Sequence, residues 1–384
     1  MEAYFDNSAT TRVYDEVAEA VLRAMKTDYG NPSSMHTKGM EAENLVREAR
    51  KTIADTLKVT EREIVFTSGG TESNNMALYG TAYSMRRMGK HIITSGVEHA
   101  SIYQPLTFLE EMGYEITYLP VNENGHISLE QLRESIRKDT ILVSIMYVNN
   151  EIGAVEPVEE IAKVIHETNP RTVFHVDAIQ AYGKYRIRPK KMGIDLLSVS
   201  GHKIHGPKGT GFLYIGEKIH VHPIILGGGQ QRDMRSGTEN VPGCYGLGVA
   251  AKMAYTGFEK RIDRFYELRD RLIRGFHEIE GTTVNGFEDR RNAPQIVSCS
   301  FEGIRAEVLL HALERKEIYV SSGSACSSNH PGISGTLKAI GVKKELLDST
   351  LRFSLGSFNN EEQIDYVIAQ LKEILPELRK FRRY

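Results

Sequence analysis

Between residues 64 and 199 short apolar runs alternate with stretches whose apolar residues fall at helical spacing, with no internal repeat of sequence. Strand signals fall at 64–66, 91–93, 114–119, 141–147, 173–176 and 196–199. Gly69-Gly70-Thr71-Glu72 opens a helix through Met88, another follows Glu98-His99-Ala100-Ser101, and two more cover 129–136 and 158–166. Strands that alternate with helices imply an α/β fold, a mainly parallel sheet sandwiched by helices. Functional groups in such a sheet collect at the carboxyl ends of its strands.

Two helices precede this alternation, at 13–25 and 37–57, the second with Ala42, Leu45, Val46, Ala49, Ile53, Ala54 and Leu57 at helical spacing. After Gly227-Gly228-Gly229 the pattern changes to a long charged helix at 258–279, strand signals at 296–301 and 318–320, and a closing amphipathic helix at 361–381. The 384 residues are too many for one ordinary core. The expected division is a large domain over 13–257 and a smaller α+β domain built from 1–12 and 258–384.

A formal net charge of -2 gives no reason to expect nucleic acid or an anionic membrane surface as partner. The longest apolar runs, such as 140–146, are far too short to span a bilayer, and residues 1–6 lack a basic region or apolar signal core. A cytoplasmic protein is expected. Cys244, Cys299 and Cys326 are odd in number and have no CxxC spacing, so neither a zinc site nor a disulfide framework is suggested.

Chemistry concentrates around Ser198-Val199-Ser200-Gly201-His202-Lys203. A lysine at the end of a buried strand suits a Schiff-base amine, because desolvation frees the lone pair that attacks an aldehyde; otherwise Lys203 is one solvated lysine among many. Asp177 ends the apolar run 173–176, with Gln180 three residues on. A carboxylate there needs a cationic partner, such as the protonated ring nitrogen of a pyridine cofactor, unless it caps the next helix. Gly70 and Thr71 offer backbone N–H groups and a hydroxyl at a helix start, an anion site or simply a capped turn, and Ser200 and His202 could add donors. His99 would stack on a ring and relay protons, or serve structure alone. Asn150 lies just past a strand and would reach a ring hydroxyl, or form a turn with Asn149. Arg352, a cation within 351–354, would clamp a carboxylate or form a buried ion pair. Cys326 lies in the small, polar, flexible stretch 321–330, where an exposed thiol is either a nucleophile or harmless.

Together these stretches resemble the NifS/IscS type of cysteine desulfurase, within the fold-type I (aminotransferase class V) enzymes that use pyridoxal 5′-phosphate. The resemblance runs from residues 5–11 to 352–356, and its most specific pieces are Ser200-Gly201-His202-Lys203, Met234-Arg235-Ser236-Gly237-Thr238 and Ser321-Ser322-Gly323-Ser324-Ala325-Cys326. The last resembles the first desulfurase group, whose cysteine loop (about 321–334 here) is long.

That resemblance implies roles. Lys203 would bind the cofactor aldehyde and move the substrate Cα proton. Asp177 would pair with the pyridine nitrogen, and His99 would stack on the ring and assist Cys326. Asn150 and Gln180 would serve the substrate carboxylate or ring oxygen. Gly70, Thr71, Ser200 and His202 would hold the phosphate, and Thr238 would reach the phosphate of a neighbouring subunit, implying a homodimer with shared sites. Arg352, with Asn31, would hold the carboxylate of L-cysteine. The Cys326 thiolate would take the substrate sulfur as a persulfide, leaving L-alanine, and pass it to an acceptor protein such as an iron–sulfur scaffold. Two departures stand out. Ser357 follows Leu355-Gly356 where relatives commonly have arginine, and the chain ends soon after its last helix where scaffold-docking relatives are often longer. Competing readings are an aminotransferase, a selenocysteine lyase, and a non-enzymatic sulfur-carrier or cluster-binding module using Cys326 as a ligand.

Overall fold

The computed structural model describes residues 1–322 and 334–380. The chain opens with β1 (Ala3–Tyr4), α1 (Asp15–Lys26) and α2 (Thr37–Leu57). The alternating part follows as β2 (Ile64–Thr67), α3 (Gly70–Met85), β3 (His91–Ser95), α4 (Ala100–Glu111), β4 (Glu115–Leu119), α5 (Leu129–Ser135), β5 (Thr140–Met146), α6 (Val158–Thr168), β6 (Val173–Asp177), α7 (Pro189–Met192), β7 (Leu196–Ser200) and β8 (Gly211–Ile215). Next come α8 (Val241–Tyr255), α9 (Phe258–His277), β9 (Thr282–Asn285), β10 (Ile296–Phe301), α10 (Ala306–Glu314), β11 (Ile318–Tyr319) and β12 (Ser321–Ser322). The chain closes with α11 (Gly335–Ala339), β13 (Thr350–Ser354) and α12 (Glu361–Arg379).

Seven strands form one sheet in the order β2-β8-β7-β6-β5-β3-β4. Neighbours from β7 through β4 pair in parallel, whereas β8 is antiparallel to both β2 and β7, so β8 alone runs against the rest. The expected α/β sandwich is therefore present. Two apolar clusters cover the sheet, one including Leu45, Phe66, Phe174 and Leu247, the other Met76, Ile92, Leu106 and Leu142. β5, β6 and β7 are buried at every position, which matches their unbroken apolar runs.

α2 keeps its expected bounds because its buried face repeats at helical spacing and Lys58, in the left-handed region, ends it. α3 stops at Met85 instead of Met88. α8 escaped the spacing argument because it is buried on several faces, so its apolar and small residues show no single stripe. Its Gly248 is required: a Cβ there would sit 2.6 Å from Ala49 Cα of α2.

A four-stranded sheet, β12-β13-β10-β9, packs with α9, α10 and α12 around a separate cluster that includes Phe276, Phe301 and Phe353. Each such ring contributes about 1.5–3 kcal/mol by burial. Ala3 and Phe5 belong to this cluster, because β1 pairs with β11 through Ala3↔Ile318 and Tyr4↔Tyr319.

β2 lies at one edge of the large sheet, and side chains cover it. The Gln231 amide both accepts from Phe66 N–H at 3.1 Å and donates to Phe66 C=O at 3.0 Å, as a neighbouring strand would. Gln231, Arg232 and Asp233 are all in the left-handed region, a conformation that costs about 1 kcal/mol or more per residue.

Candidate active site

Carboxyl ends of five strands converge on one cavity of about 240 Å³: β2 delivers Gly70 and Thr71, β3 His99, β5 Asn150, β6 Asp177, and β7 Ser200, His202 and Lys203. Ser8, Ala9, Gln180 and Arg352 complete much of its wall.

Asp177 is the last residue of β6 and is buried. Its carboxylate accepts from Asn74 Nδ2 at 2.8 Å and from Ile179 N–H at 3.0 Å. Burial pushes its pKa up, and these hydrogen bonds pull it back only in part. Asp177 therefore does not cap the next helix with nothing else to do: it is a buried carboxylate on a cavity wall that a cation would stabilise.

His99 is the N-cap of α4, and its Nδ1 accepts the Ser101 N–H at 3.1 Å. That bond leaves the ring proton of the neutral form on Nε2. Ser101 Oγ is 2.8 Å from the same Nδ1 and 2.9 Å from Asn74 Nδ2, so His99, Ser101, Asn74 and Asp177 form one chain of contacts. Just before it, Glu98 is buried and held by Ser95 Oγ and Met146 N–H; burial pushes its acid up to about 8.

Lys203 ends a one-turn 3₁₀ helix, Gly201–Lys203, directly after β7. Its Nζ donates to Ser8 O at 2.5 Å and Ala9 O at 2.7 Å, while Gln180 Nε2 also donates to Ser8 O at 3.0 Å. His202 Nδ1 is 3.1 Å from Thr10 Oγ1, and burial, with Lys203 and Lys208 near, pushes that imidazole down to about 4.

The start of α3 is shaped for an anion. Its N-cap is Gly69, at φ 148 and ψ -172, a conformation essentially reserved for glycine, with no side chain to occupy the helix start. Ser68–Glu72 edge an open depression shared with Ser200, His202, Lys208 and Gly209. The Glu72 carboxylate is turned into a pair with Arg235, at 2.8 Å from Nε, which offsets the one acid there.

The two adjacent asparagines divide the work: Asn149 Oδ1 takes the N–H groups of Glu151 and Ile152 to make the turn, and Asn150 lines the cavity. Arg352, 3% exposed, donates to Asn150 O and to Asp6 Oδ1, each at 2.9 Å, and still lines the cavity. The buried ion pair is thus present, and the same guanidinium lies on the cavity wall. Asn31 and Thr238 are exposed and do not line the cavity of their own chain.

Cys326 lies outside the described residues. Its flanks do not. Ser321 pairs in register with Arg352, and Ser334 caps α11 while donating to Glu151 Oε2 at 2.5 Å, one residue from Asn150. Cys244 and Cys299 are buried, and burial pushes the Cys244 thiol up to about 12 and raises Cys299 as well. Neither lines the cavity.

Sequence reasoning did not single out Ser8, Ala9, Asn74 or Ser101 as site residues. Asn74 left a trace, a polar residue four past Gly70 on a buried helix face. Ser8 and Ala9 act through carbonyl oxygens, which any residue type supplies.

A lysine and a carboxylate on adjacent strand ends, beside an imidazole and a helix N-terminus, define a pyridoxal-enzyme type of fold and site. The aminotransferase class-V family model matches residues 3–367. A cysteine desulfurase IscS of Methanosarcina thermophila is 47% identical over 376 residues, 98% of this chain and 92% of the relative. A solved NifS-like protein superposes with a TM-score of 0.93 at 37% identity, over 98% of this chain and 100% of the other. SspA, solved in complex with cysteine, matches with a TM-score of 0.79 at 34% identity, over 93% of this chain and 100% of that one. The chain belongs to the class-V aminotransferase family and, within it, to the cysteine desulfurases of IscS and NifS type.

Proposed function

We propose that this chain is a cysteine desulfurase that converts L-cysteine to L-alanine and transfers the sulfur to Cys326 as a persulfide. The observation that carries this reading is the placement of Lys203 and Asp177 at neighbouring strand ends of one cavity, with His99 and Arg352 in the same wall. The names of the IscS-type relatives and of SspA with cysteine support the substrate.

The residues present fit pyridoxal 5′-phosphate. A buried carboxylate faces the cavity, an uncapped helix N-terminus edges it, and a lysine amine reaches into it. Lys203 would hold the aldehyde, Asp177 the ring nitrogen, His99 the ring face, and Gly70, Thr71, Ser200 and His202 the phosphate. When bound, the group supplies an electron-accepting ring that acidifies the substrate Cα–H.

Arg352, with Asn150 and Gln180 near, binds the carboxylate of L-cysteine and orients its Cα–H toward Lys203. Lys203 Nζ takes that proton and later returns one, moving between this position and the Ser8 and Ala9 carbonyls. His99 assists the loss of the thiol proton by donating its Nε2–H to the thiolate that forms. The Cys326 thiolate attacks the substrate sulfur: an S–S bond forms, the Cβ–S bond breaks with its electron pair left on carbon, and protonation of that carbon yields alanine. The persulfide passes to an acceptor protein, such as an iron–sulfur scaffold, and cluster assembly is the process served.

Residues 13–257 form the cofactor-binding domain in this scheme, and 1–12 with 258–384 the smaller domain. Exposed Thr238 and Asn31 fit a homodimer in which each completes the partner's site. Among the described residues no helix is long and apolar enough to cross a membrane; a cytoplasmic site of action goes with the proposal. The test is alanine released from L-cysteine by the purified protein, with Cys326→Ala beside it. Release by the wild type alone, with sulfur retained on the protein, supports the assignment. A fully active Cys326→Ala refutes the persulfide route.

A further inference from the structure

Behind Lys203 lies a second, much smaller cavity of about 20 Å³, separated from the first by Ser8, Gln180 and Lys203, which line both. Lys184 and Arg261 line it from the far side, and Lys184 Nζ donates to the Lys203 carbonyl at 2.6 Å.

That carbonyl needs a partner. Lys203 ends a one-turn helix, and the last carbonyls of any such turn lack a partner within it. Thr11 takes the carbonyl of His202 with both its N–H (3.0 Å) and its hydroxyl (2.8 Å), and Lys184 takes that of Lys203. The turn is thus held at both exit carbonyls from outside.

The small cavity carries a second mark. Among the described residues, Ser8 Oγ, Gln295 Oε1 and Arg261 Nη2 are buried atoms with no hydrogen-bond partner, and all three residues line it. Ser8 is 4% and Gln295 2% exposed. About 20 Å³ of such space is enough for one water, and unsatisfied polar groups around it are what a buried water requires.

We propose that Lys184 is a positioning residue for Lys203, holding its backbone from behind by the direct bond to its carbonyl and through one ordered water enclosed with Ser8, Gln295 and Arg261, an inference that rests on the role of Lys203 in the desulfurase reading above. Lys203 has to carry its amine between the Ser8 and Ala9 carbonyls and the reacting atoms, so a fixed Cα sets the reach of every proton transfer. Lys184 is part-buried, and burial, then Arg261 and Lys203, push its amine down to about 7; charged or neutral, the amine still donates to the Lys203 carbonyl, so its position and not its charge does the holding.

The test compares Lys184→Met, Lys184→Gln and Lys184→Arg as full-length protein. Two rates are read: capture of pyridoxal phosphate by the cofactor-stripped chain, followed by absorbance, and alanine release by the loaded enzyme. The expected result is slower capture and a kcat lower by on the order of 10- to 100-fold in Lys184→Met, with KM within about threefold. Lys184→Arg recovers most of both rates, and a crystal structure of the wild type shows the water. Lys184→Gln carries the comparison should the Met variant fail to fold. Wild-type rates in Lys184→Met and Lys184→Gln, or equal loss in Met and Arg variants that tracks only their melting temperatures, overturn the proposal. Failure of the wild type itself to capture pyridoxal phosphate overturns the functional reading instead.

Discussion

Asn74 is held with its amide nitrogen 2.8 Å from Asp177 Oδ2, and the same nitrogen lies 2.9 Å from Ser101 Oγ, the partner of His99. A neutral side chain on α3 therefore orients both the carboxylate at the end of β6 and the imidazole that starts α4. Asp177 could not turn without breaking its bond to this buried group, nor His99 without breaking its contacts to Ser101, which Asn74 holds in turn.

Asn74→Ala should weaken pyridoxal phosphate binding by about 10- to 100-fold, the value of one hydrogen bond to a charged group at about 1.5–3 kcal/mol. Equilibrium titration of the cofactor-stripped chain measures it. Unchanged affinity would mean that Asp177 is held well enough by Ile179 N–H alone.

Arg352 has two duties, and two variants separate them. Arg352→Lys keeps the charge but loses the planar fork, and KM for L-cysteine should rise by on the order of 10- to 100-fold. Asp6→Asn weakens only the ion pair; melting should show a loss of about 1–3 kcal/mol with KM within about threefold. Equal KM effects in both would reduce Arg352 to a structural cation.

His175 lies in the middle of β6, fully buried, with Nδ1 2.8 Å from Ser144 Oγ of β5 and Nε2 2.9 Å from Ser198 Oγ of β7. Burial pushes its imidazole from 6.5 down to about 3, so between those values the unfolded chain binds a proton that the folded chain does not. Stability from this group is complete above pH 6.5 and is lost as pH falls, at about 1.4 kcal/mol per unit. His175→Gln should therefore lose about 2 kcal/mol less than the wild type between pH 6 and pH 4.5, measured by urea unfolding of the cofactor-stripped chain. Parallel losses would show that the ring is protonated in the fold.

What could be read beforehand was whatever depends on side-chain type at a strand end. Asp177 and Lys203 stand where an apolar run stops, and burial there gives a charged group few roles. The sheet itself was legible for the same reason, since β5, β6 and β7 are apolar on both faces. Other features carry no such signature. Ser8 and Ala9 reach Lys203 through main-chain oxygens, and β8, only five residues long, runs against the alternation that revealed its neighbours. α8 hides its period because most of its surface is buried. Asn31 and Thr238 are exposed and do not line the cavity of their own chain, which spacing along the sequence cannot report.

The strand at the start of the chain finds its partners last. Ala3 and Tyr4 pair with Ile318 and Tyr319, and Phe5 O accepts from Ser354 N–H, while every strand of the seven-stranded sheet lies between Ile64 and Ile215. During synthesis residues 3–5 therefore wait for residues 318–354. Until Ser354 has been made, residues 6–9 cannot seat, and Lys203 lacks the two carbonyls that hold its amine. Non-local pairings of this kind form late. A chain made only as far as Ile215 would hold every strand of the large sheet and still lack the contacts that seat residues 6–9 beside Lys203.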